Sequence, residues 1–138
     1  MIALAECEDA LYLVEVGATV EADDLAGREP GGTVPPRPRP TEVVPPWVST
    51  LLVDLDAAGS AVVLLLDRRP PLLVSHDLGA SWTERGSGLP KGRAVALGEN
   101  PDHVLYAGRN RLYVSTDGGV FWRAVGVELP EIRAAVWG

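Results

Sequence analysis

The residues able to do chemistry in this chain are few, and their spacing limits what that chemistry would be. Ser75-x-Asp77-x-Gly79-x-x-Trp82 recurs as Ser115-x-Asp117-x-Gly119-x-x-Trp122. Two carboxylates repeated in one context suit a metal site or paired acid–base work. They equally suit a turn: a short carboxylate accepts backbone N–H groups of its own turn, and a nearby glycine supplies the positive φ of a chain reversal. Six arginines, Arg68, Arg69, Arg93, Arg109, Arg111 and Arg133, offer planar, two-pronged recognition of carboxylate or phosphate. His76 and His103 are isolated turn-region residues without metal-ligand spacing, and both are read as surface side chains. Cys7 is the single cysteine, which excludes an intrachain disulfide framework and a cysteine zinc cluster. Its neighbours Glu6 and Glu8 raise a thiol pKa, so Cys7 is expected as a small buried hydrophobe. Glycine-rich phosphate loops and nucleophile elbows are absent. No catalytic residue, metal or cofactor is assigned.

Composition bounds the elements that must position these groups. The chain has 138 residues, 46% of them apolar, which fits one domain with a real core. A formal charge of −7 argues against general nucleic-acid binding and against a basic membrane-surface protein. Eleven of the twelve basic residues are Arg; Lys91 is the exception. Glu6 interrupts the N-terminal apolar run too early for a secretory signal. The longest uncharged apolar stretch, Ala57 to Leu66, is ten residues, whereas a spanning helix needs about 20. A cytoplasmic protein is expected.

The chain also repeats itself. Val74–Trp82 aligns without a gap over Val114–Trp122, at an offset of 40 residues. The register persists at Leu89-Pro90 over Leu129-Pro130, Arg93-Ala94 over Arg133-Ala134, and Arg69 over Arg109. A worn third copy lies at an offset of 101, with Leu11-Tyr12-Leu13 under Leu112-Tyr113-Val114. Tyr12 and Tyr113 are therefore equivalent, which points to packing. Each 40-residue unit holds four short β-rich runs separated by turn chemistry such as Asn100-Pro101-Asp102 and Thr116-Asp117-Gly118-Gly119. That is an antiparallel four-stranded meander, with no long helix expected anywhere.

The two Ser-x-Asp-x-Gly-x-x-Trp strings resemble the Asp-box, or BNR, repeat of sialidases, sortilin-type receptors and photosystem II assembly-factor-like propellers. The likeness covers about residues 48–138 well and 1–24 weakly. It implies a β-propeller in which each box forms the hairpin turn between the third and fourth strands of a blade. It also implies that Ser75, Asp77, Gly79, Trp82, Ser115, Asp117, Gly119 and Trp122 are structural, because the box lies at the blade periphery, away from those families' active sites.

Laying a four-strand pattern along the chain predicts three blades. Blade 1 covers about 1–24, with strands at 2–7, 10–16 and 19–24 and strand 131–137 as its missing inner strand. A proline-rich insertion, 25–47, follows. Blade 2 covers about 48–90, with strands at 49–55, 61–67, 71–75 and 81–86. Blade 3 covers about 91–130, with strands at 93–98, 103–108, 111–115 and 120–126. Propellers usually have four to eight blades, and an open stack leaves apolar faces and a strand edge exposed. The expectation is a homodimeric six-bladed propeller in which strand 131–137 is exchanged with the partner chain. A different partner chain, or a compact three-stranded-sheet sandwich, are the alternatives.

Seven prolines between Pro30 and Pro46 read as an extended connector: a surface linker, a lid or clamp over the propeller mouth, or, through the PxxP-like string Pro35–Pro40, a Pro-rich ligand for another protein. Trp47, which follows, is expected as a core or inter-blade anchor. In a propeller the six arginines fall near one end, opposite the Ser-x-Asp turns. They form a candidate surface for a protein or anionic ligand, unless Glu8, Asp9, Glu128 and Glu131 neutralise them. A non-enzymatic binding scaffold is the leading expectation. A carbohydrate-binding or sialidase-type module is the alternative, although no arginine triad or activated tyrosine can be assigned for it.

Overall fold

Alternation and turn chemistry divide the chain into twelve short strands, and the computed structural model describes all of residues 1–138. They are β1 (Ile2–Cys7), β2 (Ala10–Glu15), β3 (Asp24–Pro30), β4 (Leu52–Ala58), β5 (Ala61–Leu66), β6 (Leu72–Ser75), β7 (Thr83–Arg85), β8 (Ala94–Leu97), β9 (Val104–Ala107), β10 (Arg111–Ser115), β11 (Arg123–Glu128) and β12 (Ile132–Trp137). They form three four-stranded antiparallel sheets, in the orders β12-β1-β2-β3, β4-β5-β6-β7 and β8-β9-β10-β11. The first strands of the sheets lie together: β8 packs against β4 on one side and β12 on the other. The helical content is three short 3-10 turns at Val20–Ala22, Thr41–Val43 and Pro46–Leu51. No helix is long and apolar enough to cross a membrane.

β5 shows how the sequence specifies the stacking. Its run Ala61-Val-Val-Leu-Leu-Leu66 is buried throughout, as expected of a strand covered on both faces. Ala61, Val63 and Leu65 meet Val95, Leu97, Val104 and Tyr106 of the β8–β11 sheet. Val62, Leu64 and Leu66 point the other way, onto Val48 and Leu55, with Val43, Val44 and Leu51 at the margin. Residues 43–52 therefore cover the far face of the β4–β7 sheet. On the other flank small residues, Ala3, Ala5, Cys7 and Ala10, let the β1–β3 sheet approach Ala94, Ala96 and Leu112 closely.

Several expectations need correction. The third strand of the first sheet is not 19–24 but Asp24–Pro30, because Val20–Ala22 turns first. The inner strand of the second sheet begins at Leu52 rather than 49. Prolines 45 and 46 start a 3-10 turn over Pro46–Leu51 in its place, Pro46 at the first position needing no N–H partner. Trp47 is 64% exposed and is no core anchor; its ring lies 6.0 Å from the Arg68 guanidinium. Phe121 is likewise exposed, leaving Tyr12 and Tyr106 as the fully packed aromatics. His76 is exposed, and His103 is half-buried rather than a free surface residue.

The C-terminal strand also differs from expectation in its partner. β12 pairs with β1 of the same chain, from Ala3 opposite Trp137 to Cys7 opposite Ile132. Only three residues, 129–131, carry the chain from β11 to β12. The amides of Leu129 and Ile132 donate to the carbonyls of Asn110 and Arg109 at 2.8 Å each. A connection so short and so tied delivers β12 beside its own N-terminal strand.

Candidate functional site

The two Ser-x-Asp turns join β6 to β7 and β10 to β11, and they have almost the same wiring. Ser75 Oγ donates to Asp77 Oδ1 at 2.7 Å and accepts from the Gly79 amide at 2.8 Å. Ser115 repeats this with Asp117 and Gly119 at 2.7 and 2.9 Å. Asp77 then receives the Ser81 amide and hydroxyl, while Asp117 receives the amides of Val120 and Phe121. Each carboxylate thus accepts three hydrogen bonds from its own turn, which is the work of a turn brace. Gly79 and Gly119 have φ of 88° and 93°, as the reversal requires. Trp122 packs edge-on to Tyr106 at 5.9 Å, at the contact with the β4–β7 sheet. Trp82 packs instead against the face covered by residues 43–52.

These turns carry two predictions. Leu78 has φ 54°, where the second turn has Gly118 at 76°. Leu78 is exposed and gains no packing for this strain. Leu78→Gly is expected to stabilise by about 0.5–1 kcal/mol net of the extra glycine entropy, read as a raised urea midpoint. The hydroxyls of Ser81 and Ser75, joined by the Ser81 amide, pull the Asp77 pKa from 3.8 down to about 2. Ser115 and the Phe121 amide lower that of Asp117. A lowered folded-state pKa stabilises above the ordinary carboxylate value, and that gain is lost as pH falls through the folded one. Stability should therefore fall between pH 4 and about 2, and Asp77→Asn should flatten this fall in urea midpoints measured across that range.

At the opposite end the structure brings some of the predicted arginines together. Arg93 Nη2 lies 2.9 Å from Glu131 and Arg109 Nε 3.6 Å from the same carboxylate oxygen. Arg111 reaches Glu128 at 3.8 Å, and Arg68 pairs with Glu84 at 3.2 Å. Arg69 donates to the Leu89 carbonyl at 2.7 Å. Arg69 and Arg133 have no carboxylate within 4 Å, and Arg133 is exposed. Glu128 and Glu131 thus partly neutralise this end, whereas Asp9 turns to Tyr12 and Arg28. Cys7 is buried as expected; burial first, then Asp9, pushes its thiol up to about 11.

Residues that sequence reasoning missed close the sheet edges. β8 and β11 are the two edges of their sheet, and unpaired edge amides need partners. Asp54 and Asp56 of β4 supply them on one side, accepting from the amides of Val95 at 3.0 Å and Leu97 at 2.6 Å. Both carboxylates also pair with the insertion, Asp54 with Arg39 and Asp56 with Arg37. On the other side Asp23 accepts from the Gly126 amide at 2.9 Å, the Gly17 amide at 2.9 Å and both Nη atoms of Arg123. The signal available in the sequence was Leu52-Val-Asp-Leu-Asp-Ala: two acids at alternate positions of an otherwise apolar strand.

Between the β4–β7 and β8–β11 sheets runs an outer groove of about 550 Å3, lined by Arg85, Leu89, Tyr113 and Trp122 among others. No group of three or more acidic, histidine or cysteine side chains is placed to hold a metal ion. No model of a known protein family matches this chain, and no curated protein matches it.

Proposed function

We propose that this chain is a propeller-type binding scaffold without enzymatic activity, and that its ligand is an anionic protein segment held at the arginine-bearing end. The observation that carries this reading is the grouping of Arg93 and Arg109 around Glu131, with Arg133 two residues further along and unpaired. These side chains stand at the ends of packed strands, where a rigid frame presents them to solvent. A ligand carboxylate competes with Glu131 for two guanidinium groups already in place. The tyrosines support the absence of sialidase-type chemistry. Burial pushes the Tyr106 phenol up to about 12, and its hydroxyl donates to the Pro90 carbonyl at 2.6 Å. Tyr12 donates to Asp9 at 2.7 Å, but Arg28 alone is paired beside them, where a sialidase-type site uses three arginines.

The test is titration with a labelled polyglutamate peptide at low salt. Binding that weakens about tenfold in Arg93→Ala/Arg109→Ala/Arg133→Ala and falls with added salt supports the reading. Equal binding by the triple variant overturns it. The groove beside Tyr113 and Trp122 favours carbohydrate binding as the second reading, since sugar rings stack on aromatic faces; a glycan array tests it.

The same proposal includes a six-bladed ring of two copies, each keeping β12 on its own β1. One end of each three-sheet arc is capped by residues 43–52, so a second copy would meet that layer. Light scattering that gives about 29 kDa (twice 14.6 kDa) supports the ring. A mass of 14.6 kDa at every concentration overturns it.

A further inference from the structure

The segment 33–40 has an unusual place in the fold. It runs as Thr-Val-Pro-Pro-Arg-Pro-Arg-Pro, without regular structure, across the first strands of the sheets. It makes no backbone–backbone hydrogen bond to any sheet; Arg39 and Pro40 carbonyls serve only the local turn at Thr41 and Val43. Three side-chain tethers hold it: the Val34 amide to Glu6 Oε1 at 2.9 Å, Arg37 to Asp56, and Arg39 to Asp54. Packing beneath it is incomplete. A cavity of about 220 Å3 remains between Val34, Pro35 and Pro36 and the strand residues Leu55, Val95 and Val136.

The receiving surface is set independently of this segment. Asp54 and Asp56 are buried and anchored by the β8 amides, so their positions do not depend on the arginines. They are two residues apart on one strand, roughly 6.7 Å along it. Two residues of an extended proline-rich chain advance about 6.2 Å. The two arginines and two aspartates therefore match in spacing, paired in opposite chain directions.

We propose that the groove formed by β4, β8 and β12 is a binding site for an extended Arg-Pro-Arg segment of a separate partner protein, with residues 33–40 as its resident, detachable occupant. Proline removes the segment's own ladder donors and pre-sets its extended form, so little order is lost when it docks or is replaced. Held in the same chain, it competes at an effective concentration in the millimolar range, and a free peptide enters readily only when the resident arginines are gone.

The experiment uses the full chain with Arg37→Ala/Arg39→Ala, and a fluorescent peptide of sequence Thr-Val-Pro-Pro-Arg-Pro-Arg-Pro-Thr. The variant should bind the peptide at least tenfold more tightly than the wild type, with salt-sensitive affinity. A peptide with both arginines replaced by alanine should not bind. A variant folded by circular dichroism that shows no binding overturns the proposal, as does equal binding of the alanine peptide. Should the variant not fold, amide chemical shifts of the wild type with excess peptide replace it. Shifts confined to Asp54, Asp56, Val95 and Leu97 support the site, and none at millimolar peptide overturns it. Light scattering tests the source. Peptide binding by a protein monomeric throughout supports a separate partner, and a wild-type dimer that the variant cannot form overturns it in favour of the segment of a second copy.

Discussion

Asp56→Ala should destabilise the protein by about 3–5 kcal/mol, the largest loss expected from a polar substitution here. Asp56 is 3% exposed and serves two partners, the Leu97 amide and Arg37. Its loss strands the Leu97 amide on a buried strand edge and leaves Arg37, itself only about a quarter exposed, without its counter-charge. An orphaned buried amide costs about 1–3 kcal/mol, and an unpaired half-buried cation adds to that. Asp56→Asn separates the two terms. Its amide oxygen still accepts from Leu97 while the charge is removed, so a smaller loss of about 1–2 kcal/mol is expected. Urea unfolding reads both. At a slope of about 2 kcal/mol per molar, the alanine variant should shift the midpoint down by roughly 1.5–2.5 M. Equal, sub-kilocalorie effects for both variants would show that β4 and β8 do not depend on this contact.

Tyr106→Ala should cost about 3–5 kcal/mol through loss of a large buried ring and the cavity left behind. The side chain is fully buried at the contact of two sheets, with Tyr113 and Trp122 edge-on at 6.2 and 5.9 Å. Each aromatic pair contributes about 0.5–1.5 kcal/mol beyond area burial. Tyr106→Phe keeps the ring and orphans the Pro90 carbonyl, so about 1 kcal/mol is expected. The opposite wall of this pocket is Gly92. A Cβ there would stand 2.5 Å from Tyr106 Oη and 2.8 Å from Leu65, so Gly92→Ala is expected to overpack by about 1–3 kcal/mol. Thermal and urea unfolding of the three variants should give the order Tyr106→Ala, then Gly92→Ala, then Tyr106→Phe. A near-neutral Tyr106→Ala would mean that the sheet contact can collapse around the gap.

The two Ser-x-Asp turns were legible because their side-chain hydrogen bonds are local, although the Leu78 and Gly118 amides also reach the carbonyls of Ser60 and Asp102. Ser75, Asp77, Gly79 and Ser81 lie within seven residues, and the 40-residue repeat exposes the motif twice. Strands were legible for the same reason: Arg111–Ser115 from its alternation, and Ala61–Leu66 from a continuous short apolar run bounded by turn residues. The arginine-bearing end was only partly legible. Repeat position brings Arg93 and Arg133 to equivalent strand starts, but the choice of Glu131 as the shared partner depends on loops from two sheets.

By itself, the sequence determined the all-β character, the four-strand units and the chemistry of the turns, because these follow from interactions between near neighbours. Tertiary structure alone decided which edges meet. Asp54 and Asp56 reach amides 41 residues away, Asp23 reaches Arg123 across 100, and the proline-rich segment lies under its own aspartates rather than apart as a linker. A carboxylate in a strand carries no mark of which distant N–H it will accept; that is set when sheets pack and an unpaired edge amide must find an acceptor or lose its hydrogen bond.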